Sequence, residues 1–218
     1  MTSYGLQLTE LERDALTELA NLGVNRAAAS LRHMAGEQVL LSVPSVEVVD
    51  RGAAARLIAA RENPRLVAVH QQFKGDFSGH VLLIFPQAES LELVRAVVGS
   101  DLPLDDIIDL EPEALAETGN IILNGFLATV ANMLKRTLRM SLPEVVRGDA
   151  TALFALSEGR GEDELVLFLH IGFSVRKRAI HGYIAMIMDL PSLVSLKGLI
   201  GEFIARIGDP DRSAHDPS

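Results

Sequence analysis

Hydrophobic and polar residues follow two different periods along this chain, and the change of period occurs twice. The segment from Leu11 to Met34 is rich in Ala and Leu and contains no proline. It follows Thr9 and Glu12, which form a capping-box pattern, and it predicts a long helix. Strands are predicted at residues 39–49, 56–60, 66–73 and 81–85, where β-branched or alternating runs lie between turn residues. Residues 88–98 predict a short amphipathic helix.

The second half of the chain restarts the same cycle. Residues 100–109 contain Pro103 and four aspartates and predict a linker, and Pro112 suits the first turn of the following helix. A second long helix is predicted at 113–139, strands at 144–156, 165–173 and 180–188, and a closing helix at 191–207. The polar tail, 209–218, is predicted to be disordered.

One set of polar residues occurs twice, and the two copies are 99 positions apart. Asp14, Glu18, Asn21 and Pro44 correspond to Glu113, Glu117, Asn120 and Pro143, so each copy reads acid-x3-Glu-x2-Asn-x22-Pro. Asn25 with Asn124 and Met34 with Met133 keep the same offset. A repeat of a whole segment predicts internal symmetry in the fold.

The repeat predicts an α/β fold, a single pseudo-two-fold symmetric domain at residues 1–208. Its two helix-strands-helix repeats, at about 9–99 and about 110–207, are expected to form a continuous, mainly antiparallel sheet with two long helices on one face. Two independent domains of about 100 residues each are the alternative. The short linker and the open edges of two half-sheets favour one sheet.

The repeated residues fall on one stripe of each long helix, about 60° wide. The stripes are Asp14, Glu18, Asn21 and Asn25, then Glu113, Glu117, Asn120 and Asn124. The opposite, apolar sides carry Leu16, Leu19, Gly23, Ala27 and Leu31, then Leu115, Ile122, Phe126 and Val130. Surface helices ordinarily carry such polar groups, so one stripe alone would indicate no site. Because Glu and Asn kept their identity and spacing while packing residues changed, the stripes are interpreted as functional.

Composition excludes several classes of function. The net charge is −9, and Arg176 to Arg178 is the longest basic run, which argues against nucleic-acid binding. Without cysteines there is no disulfide, thiolate zinc site or thiol nucleophile, and the six histidines lack metal-site spacing. No uncharged apolar run approaches the roughly 18 residues of a spanning helix, and no signal pattern begins the chain, so we expect a cytoplasmic protein without a membrane span.

A Glu and an Asn one helical turn apart do not make a nucleophile-base pair. They can complement the site of another protein. The carboxylate can pair with a lysine or arginine, and the amide can donate to and accept from a water molecule and hold it in line with an electrophile. The stripes are therefore predicted to be half-sites that act on a partner protein.

These residues resemble a known family, the chemotaxis phosphatases of the CheC, CheX and FliY group. The resemblance rests on Glu18-x2-Asn21 and Glu117-x2-Asn120, each with its preceding acid and following proline, and covers about residues 8–207. Two complete motifs without an added domain are most similar to the CheC type.

The resemblance implies hydrolysis of the aspartyl phosphate on a CheY-like response regulator. Glu18 and Glu117 would pair with the receiver's lysine, and Asn21 and Asn120 would orient the attacking water. The implied substrate-binding residues are Asp14, Pro44, Glu113 and Pro143. Mg²⁺ would be held by the receiver, so no cofactor of the chain's own is expected, and a CheD-like deamidase is a further partner the family allows. The alternative is a non-catalytic protein that binds a receiver or builds into a flagellar switch.

Overall fold

The computed structural model describes residues 7–35, 38–43, 45–98, 103–156, 165–175 and 178–208. These ranges form six helices and eight strands. The helices are α1 (Glu10–Ala35), α2 (Arg51–Ala59), α3 (Gln87–Val98), α4 (Leu104–Met133), α5 (Ala150–Phe154) and α6 (Leu190–Gly208). The strands are β1 (Val39–Ser42), β2 (Val46–Asp50), β3 (Leu66–Gly75), β4 (Gly79–Pro86), β5 (Leu138–Met140), β6 (Glu144–Gly148), β7 (Leu165–Val175) and β8 (Arg178–Met188).

The eight strands form one antiparallel sheet in which the two halves of the chain exchange their outer strands. The order is β1-β7-β8-β4-β3-β5, with β2 also on β7 and β6 also on β3. Thus β1 and β2 of the first half pair with β7 of the second, while β5 and β6 of the second half pair with β3 of the first. Strands β4 and β8 pair at the centre. The predicted α/β fold with a continuous antiparallel sheet is confirmed.

The sheet separates two hydrophobic cores. Alternation along β3 sends Val67, Val69 and Phe73 to the larger core, which is covered by α1, α3, α4 and α6. Leu66 and Ala68 face the smaller core under α2 and α5. The two long helices therefore lie on one face, as predicted.

Glycines allow the long helices to approach each other and the sheet closely. A Cβ on Gly23 of α1 would lie 2.9 Å from the Cα of Phe126 on α4. Gly125 of α4 faces Ala27 of α1, and a Cβ added to Gly125 would lie 3.1 Å from the Cβ of that alanine. A Cβ on Gly119 would lie 2.6 Å from side-chain atoms of Val69, which places α4 directly on β3.

One predicted strand is wrong and another is too long, because aspartates start helices there. Residues 56–59 lie in α2 and Ala60 is its C-cap; the first turn of α2 is capped by Asp50, which accepts from the backbone N–H of Ala53 at 2.7 Å. The strand predicted at 144–156 ends at Gly148, since Asp149 caps α5 by accepting from Ala152 N–H at 2.8 Å. These two aspartates are also 99 residues apart.

The predicted boundaries of the second long helix are also wrong. Helix α4 begins at Leu104, inside the predicted linker, and Pro112 lies within it and not in its first turn. The buried carboxylate of Glu111 holds this segment in place, because it accepts from Ser90 Oγ at 2.7 Å and from Arg147 at 2.8 Å. The helix ends at Met133, and Lys135 follows with a left-handed φ of 55°.

The sequence predicted no membrane-spanning run. One stretch in the described part of the chain, Asp105–Met133 of α4, is long and apolar enough by composition to cross a membrane, and 56% of its most apolar window is buried inside the fold. A core helix passes the same test. The predicted disordered tail, 209–218, lies outside the described residues.

The close contact at Gly23 gives a stability prediction. Gly23→Ala should lower the free energy of unfolding by about 1–3 kcal/mol, because the new methyl group meets the backbone of Phe126. Gly198→Ala is the matched control: this exposed α6 glycine has no atom within 4 Å of the added Cβ, and the better helix former should raise stability by about 0.5–1 kcal/mol. Urea unfolding measures both, and equal effects would contradict the close packing of α1 on α4.

Candidate functional site

Both polar stripes lie on the accessible sides of α1 and α4. The carboxylates of Asp14, Glu18, Glu113 and Glu117 are exposed, and Asn21 and Asn120 are half-buried. The predicted apolar sides, Leu16, Leu19, Ala27 and Leu31 on α1 and Leu115, Ile122, Phe126 and Val130 on α4, are buried. Each half-site therefore offers an exposed carboxylate one turn before an asparagine at the helix edge.

Each asparagine stands beside a bulge in the sheet. Ser42 pairs with Gly172 of β7 and Val46 pairs with Leu169, so three residues of the first half oppose two of β7. In the second half, the three residues 141–143 oppose the two residues 71 and 72 of β3 in the same way. A bulge leaves backbone groups without ladder partners, so side chains must satisfy them.

In the first site the asparagine side chain itself makes the hydrogen bonds that the bulged backbone lacks. The Nδ2 of Asn21 donates to the carbonyl oxygens of Val43 and Thr17, both at 3.0 Å, and its Oδ1 accepts from the N–H of Val43 at 2.8 Å. Val43 is 1% exposed. The two N–H groups of this amide are thus both in use. Pro44 lies outside the described residues.

In the second site a glutamine of the sheet takes this task. Gln71 is 0% exposed, and its Nε2 donates to the carbonyl of Ser141 at 2.8 Å and to Oδ1 of Asn120 at 3.3 Å. Asn124 Nδ2 donates to the same Oδ1 at 2.7 Å. Within the part of the chain that the structure describes, Nδ2 of Asn120 has no hydrogen-bond partner. Asn120 therefore presents its N–H groups outward.

The loops of the two sites differ in exposure as a result. Leu142 is 85% exposed, whereas Val43 at the equivalent position is buried. The second loop is fixed to the sheet one residue earlier, at Ser141. The Ser141 N–H donates to the carbonyl of Gln72 at 2.9 Å, and the Ser141 Oγ accepts from the Gln72 N–H at 2.9 Å. Pro143 is half-buried beside this exposed leucine.

A groove between α1 and α4 adjoins the second site. It has a volume of about 410 Å³ and is lined by Asn120 and Asn124 of α4 and by Arg26 and Ser30 of α1, among others. Arg26 is exposed and has no ion-pair partner among the described residues. The residue that corresponds to Arg26 in the second repeat, 99 positions later, is Gly125, which has no side-chain charge. Only the second site can therefore combine this arginine with its amide N–H groups, which suits an anionic ligand.

Sequence reasoning missed Gln71 and Arg26. Gln71 and Gln72 interrupt an otherwise apolar strand, and this was the available signal for the first of them. Arg26 follows the polar stripe by one position and carries no distinguishing pattern. The residues described include no group of three or more His, Asp or Glu side chains that could hold a metal ion.

The comparisons with known proteins find chemotaxis phosphatases. The family model described as chemotaxis phosphatase CheX matches residues 67–166, a segment that contains Glu117, Asn120 and Pro143. The chain is 23% identical over 203 residues to the CheY-P phosphatase CheC of Bacillus subtilis, covering 89% of this chain and 96% of that protein. It is 24% identical over 202 residues to the flagellar motor switch phosphatase FliY of the same organism, covering 90% of this chain and 50% of FliY.

Solved structures with the same fold include both FliY and FliM. The FliY structure from Thermotoga maritima matches with a TM-score of 0.73 at 14% identity, over 91% of this chain and 100% of that one. FliM in the FliM-SpeE complex from H. pylori matches with a TM-score of 0.63 at 9% identity, over 90% and 97% of the two chains. At these identities the likeness concerns the fold alone.

The family model, the relatives and the fold support a chemotaxis phosphatase of the CheC type. They confirm the resemblance of this chain to the CheC, CheX and FliY group that was read from the sequence.

The hydrogen bonds between the Asn21 amide and the Val43 backbone give a second prediction. Asn21→Ala should lower the free energy of unfolding by about 1–3 kcal/mol, because it leaves the N–H and carbonyl of the buried Val43 unsatisfied. Asn25→Ala on the same stripe is the control and should change stability by no more than about 0.5 kcal/mol, since Asn25 is exposed. Chemical denaturation of the three proteins tests this; a neutral Asn21→Ala would show that the loop does not depend on that amide.

Proposed function

We propose that this protein hydrolyses the aspartyl phosphate of a CheY-like response regulator. The observation that carries the proposal is the Asn120 amide. Its carbonyl is fixed by two donors, its N–H groups are open, and the exposed carboxylate of Glu117 lies one turn away on the same helix. The B. subtilis relative matched over almost its whole length is named a CheY-P phosphatase, which supports the assignment.

The proposed reaction needs positioning and charge stabilisation more than covalent chemistry. Glu117 pairs with the lysine of the receiver and so fixes the register of the two proteins. Asn120 Nδ2 donates to one lone pair of a water molecule, and the other lone pair of that water attacks phosphorus. The bond between phosphorus and the aspartyl oxygen breaks, and the products are inorganic phosphate, which keeps both protons of the water, and the free aspartate carboxylate. Arg26 faces the same groove as a cation for the phosphoryl oxygens or the acidic receiver.

The magnesium ion of the reaction is proposed to belong to the receiver, as part of the substrate protein. Asp14, Glu113 and Pro143 are proposed to contact the receiver around each half-site, and Leu142 adds an exposed apolar contact at the second. Binding of a CheD-like deamidase and a cytoplasmic location stay predictions.

The two half-sites are proposed to differ in rate. Asn21 must release Val43 or Thr17 before it can donate to a water molecule, whereas Asn120 requires no such change. The second half-site is therefore proposed to carry most of the activity.

A non-catalytic binding protein or flagellar-switch component is the second candidate. It is favoured by the fold shared with FliM, because a common fold does not by itself imply a common function. Such a protein would need the exposed carboxylates for binding but would place no demand on the N–H groups of Asn120.

The decay of a phosphorylated CheY-like receiver tests the proposal. Wild-type protein should accelerate the decay, and Asn120→Ala should lower the acceleration by about a hundredfold, the typical loss when one placed donor is removed from a reacting site. Asn21→Ala should retain most of the activity, and the double variant should have none above the receiver alone. Gly198→Ala on α6, away from both stripes, serves as the control with unchanged activity.

The binding-protein candidate predicts a different set of results. It would be preferred if wild-type protein bound the phosphorylated receiver, for example in a pull-down at equal concentrations, yet left its decay rate unchanged. Equal losses from Asn21→Ala and Asn120→Ala would retain the phosphatase but contradict the proposed inequality of the half-sites.

A further inference from the structure

Gln71 occupies a place where the two halves of the fold differ. Residues 70–73 of β3 read His-Gln-Gln-Phe, and residues 170–173 of β7 read His-Ile-Gly-Phe, so Gln71 corresponds to Ile171. Each of these two residues stands opposite a bulge that carries a proline-containing loop. The second site therefore has a buried amide beneath it where the first has an apolar side chain.

Burial of this glutamine is not explained by packing. Gln71 lies on the same face of β3 as Val69 and Phe73, inside the larger core, where an amide is costly unless it is hydrogen-bonded. Its Nε2 is satisfied by Ser141 and Asn120, but its Oε1 is buried without a partner in the described residues. An apolar side chain such as that of Ile171 would avoid this cost, so the donor function of Nε2 is the feature that distinguishes the position.

The close packing of α4 on β3 brings the side-chain amides of Asn120 and Gln71 within hydrogen-bonding distance of each other. Gly119 precedes Asn120, and any side chain there would collide with Val69, two residues before Gln71 on the same face. The corresponding residue on α1 is Ala20. Glycine thus lets α4 approach the sheet at the turn that carries Asn120.

We infer that Gln71 is a positioning residue of the second half-site. It holds the loop through the carbonyl of Ser141, a task that Asn21 performs itself in the first half-site. It also donates to Oδ1 of Asn120, together with Asn124, and so turns the N–H groups of Asn120 outward. The inference concerns the orientation of one amide, and its kinetic consequence rests on the proposed phosphatase function.

The first arm of the test measures the hydrogen bond without reference to activity. The side-chain amide signals of Gln71 should be assigned in a ¹⁵N-labelled sample of the full chain. Asn120→Ala should shift the Gln71 Nε2 proton signals, whereas Asn21→Ala should leave them in place. Unmoved Gln71 signals in Asn120→Ala would overturn the inference, and this arm does not require any change at Gln71.

The second arm measures turnover by the second half-site alone. In the Asn21→Ala background, Gln71→Met should lower kcat by about ten- to a hundredfold with KM nearly unchanged, because a misoriented amide affects the reacting water more than docking. Gln72→Met is the matched control on the opposite, exposed face of the same strand and should leave kcat unchanged.

Two results of the second arm separate the inference from the proposed function. If Asn21→Ala accelerates receiver decay and folded Asn21→Ala/Gln71→Met does so within about twofold of it, Gln71 is not a positioning residue, since a placed donor has a larger effect. If Asn21→Ala fails to accelerate decay at all, the proposed activity of the second half-site is wrong, and the NMR arm alone decides the role of Gln71.

Discussion

The exchange of outer strands between the two halves is the constraint on which both sites depend. Because β1 and β2 complete the sheet at β7, and β5 and β6 complete it at β3, each half-site combines a helix and loop from one half with an inner strand from the other. The bulge in each outer strand then leaves backbone groups that some side chain must satisfy. The residue facing each bulge thereby becomes part of a site, although it lies far away in sequence and outside the repeated motif.

An amide that makes the missing hydrogen bonds of a bulge is no longer free to bind a water molecule at the site. A buried backbone group without a partner costs about 1–3 kcal/mol, so the fold requires a donor and an acceptor at each loop. Asn21 supplies both to Val43 and has no N–H left. At the second loop, Nε2 of Gln71 reaches the carbonyl of Ser141, and Asn120 keeps its N–H groups. Two copies of an identical Glu-x2-Asn motif are in this way chemically unequal, and the difference comes from a sheet residue.

The sequence was informative where a feature depends on one helix, and less so where it depends on tertiary pairing. The 3.6-residue period specified the polar stripes and the apolar sides of α1 and α4, because helical geometry alone fixes which residues share a face. Residues 56–60 and the second part of 144–156 were misassigned, since a few alternating residues do not distinguish a strand from a short helix. Asp50 and Asp149, at the repeat offset, carried the capping signal. The hydrogen bonds of Asn21 to Val43 and of Gln71 to Ser141 and Asn120 follow from the strand exchange, which cannot be read from a local sequence pattern.

The proposed function depends on a small number of unpaired hydrogen-bond donors and not on the architecture. The FliY and FliM chains share the architecture with this one at 14% and 9% identity, and a likeness of fold does not by itself imply a common function. A binding surface needs exposed carboxylates, which Glu18 and Glu117 both provide. The proposed hydrolysis in addition needs an amide that is held in one orientation with an unpaired N–H group. The described structure meets that further condition at Asn120, where two donors fix the carbonyl, and does not meet it at Asn21, whose N–H groups are both engaged.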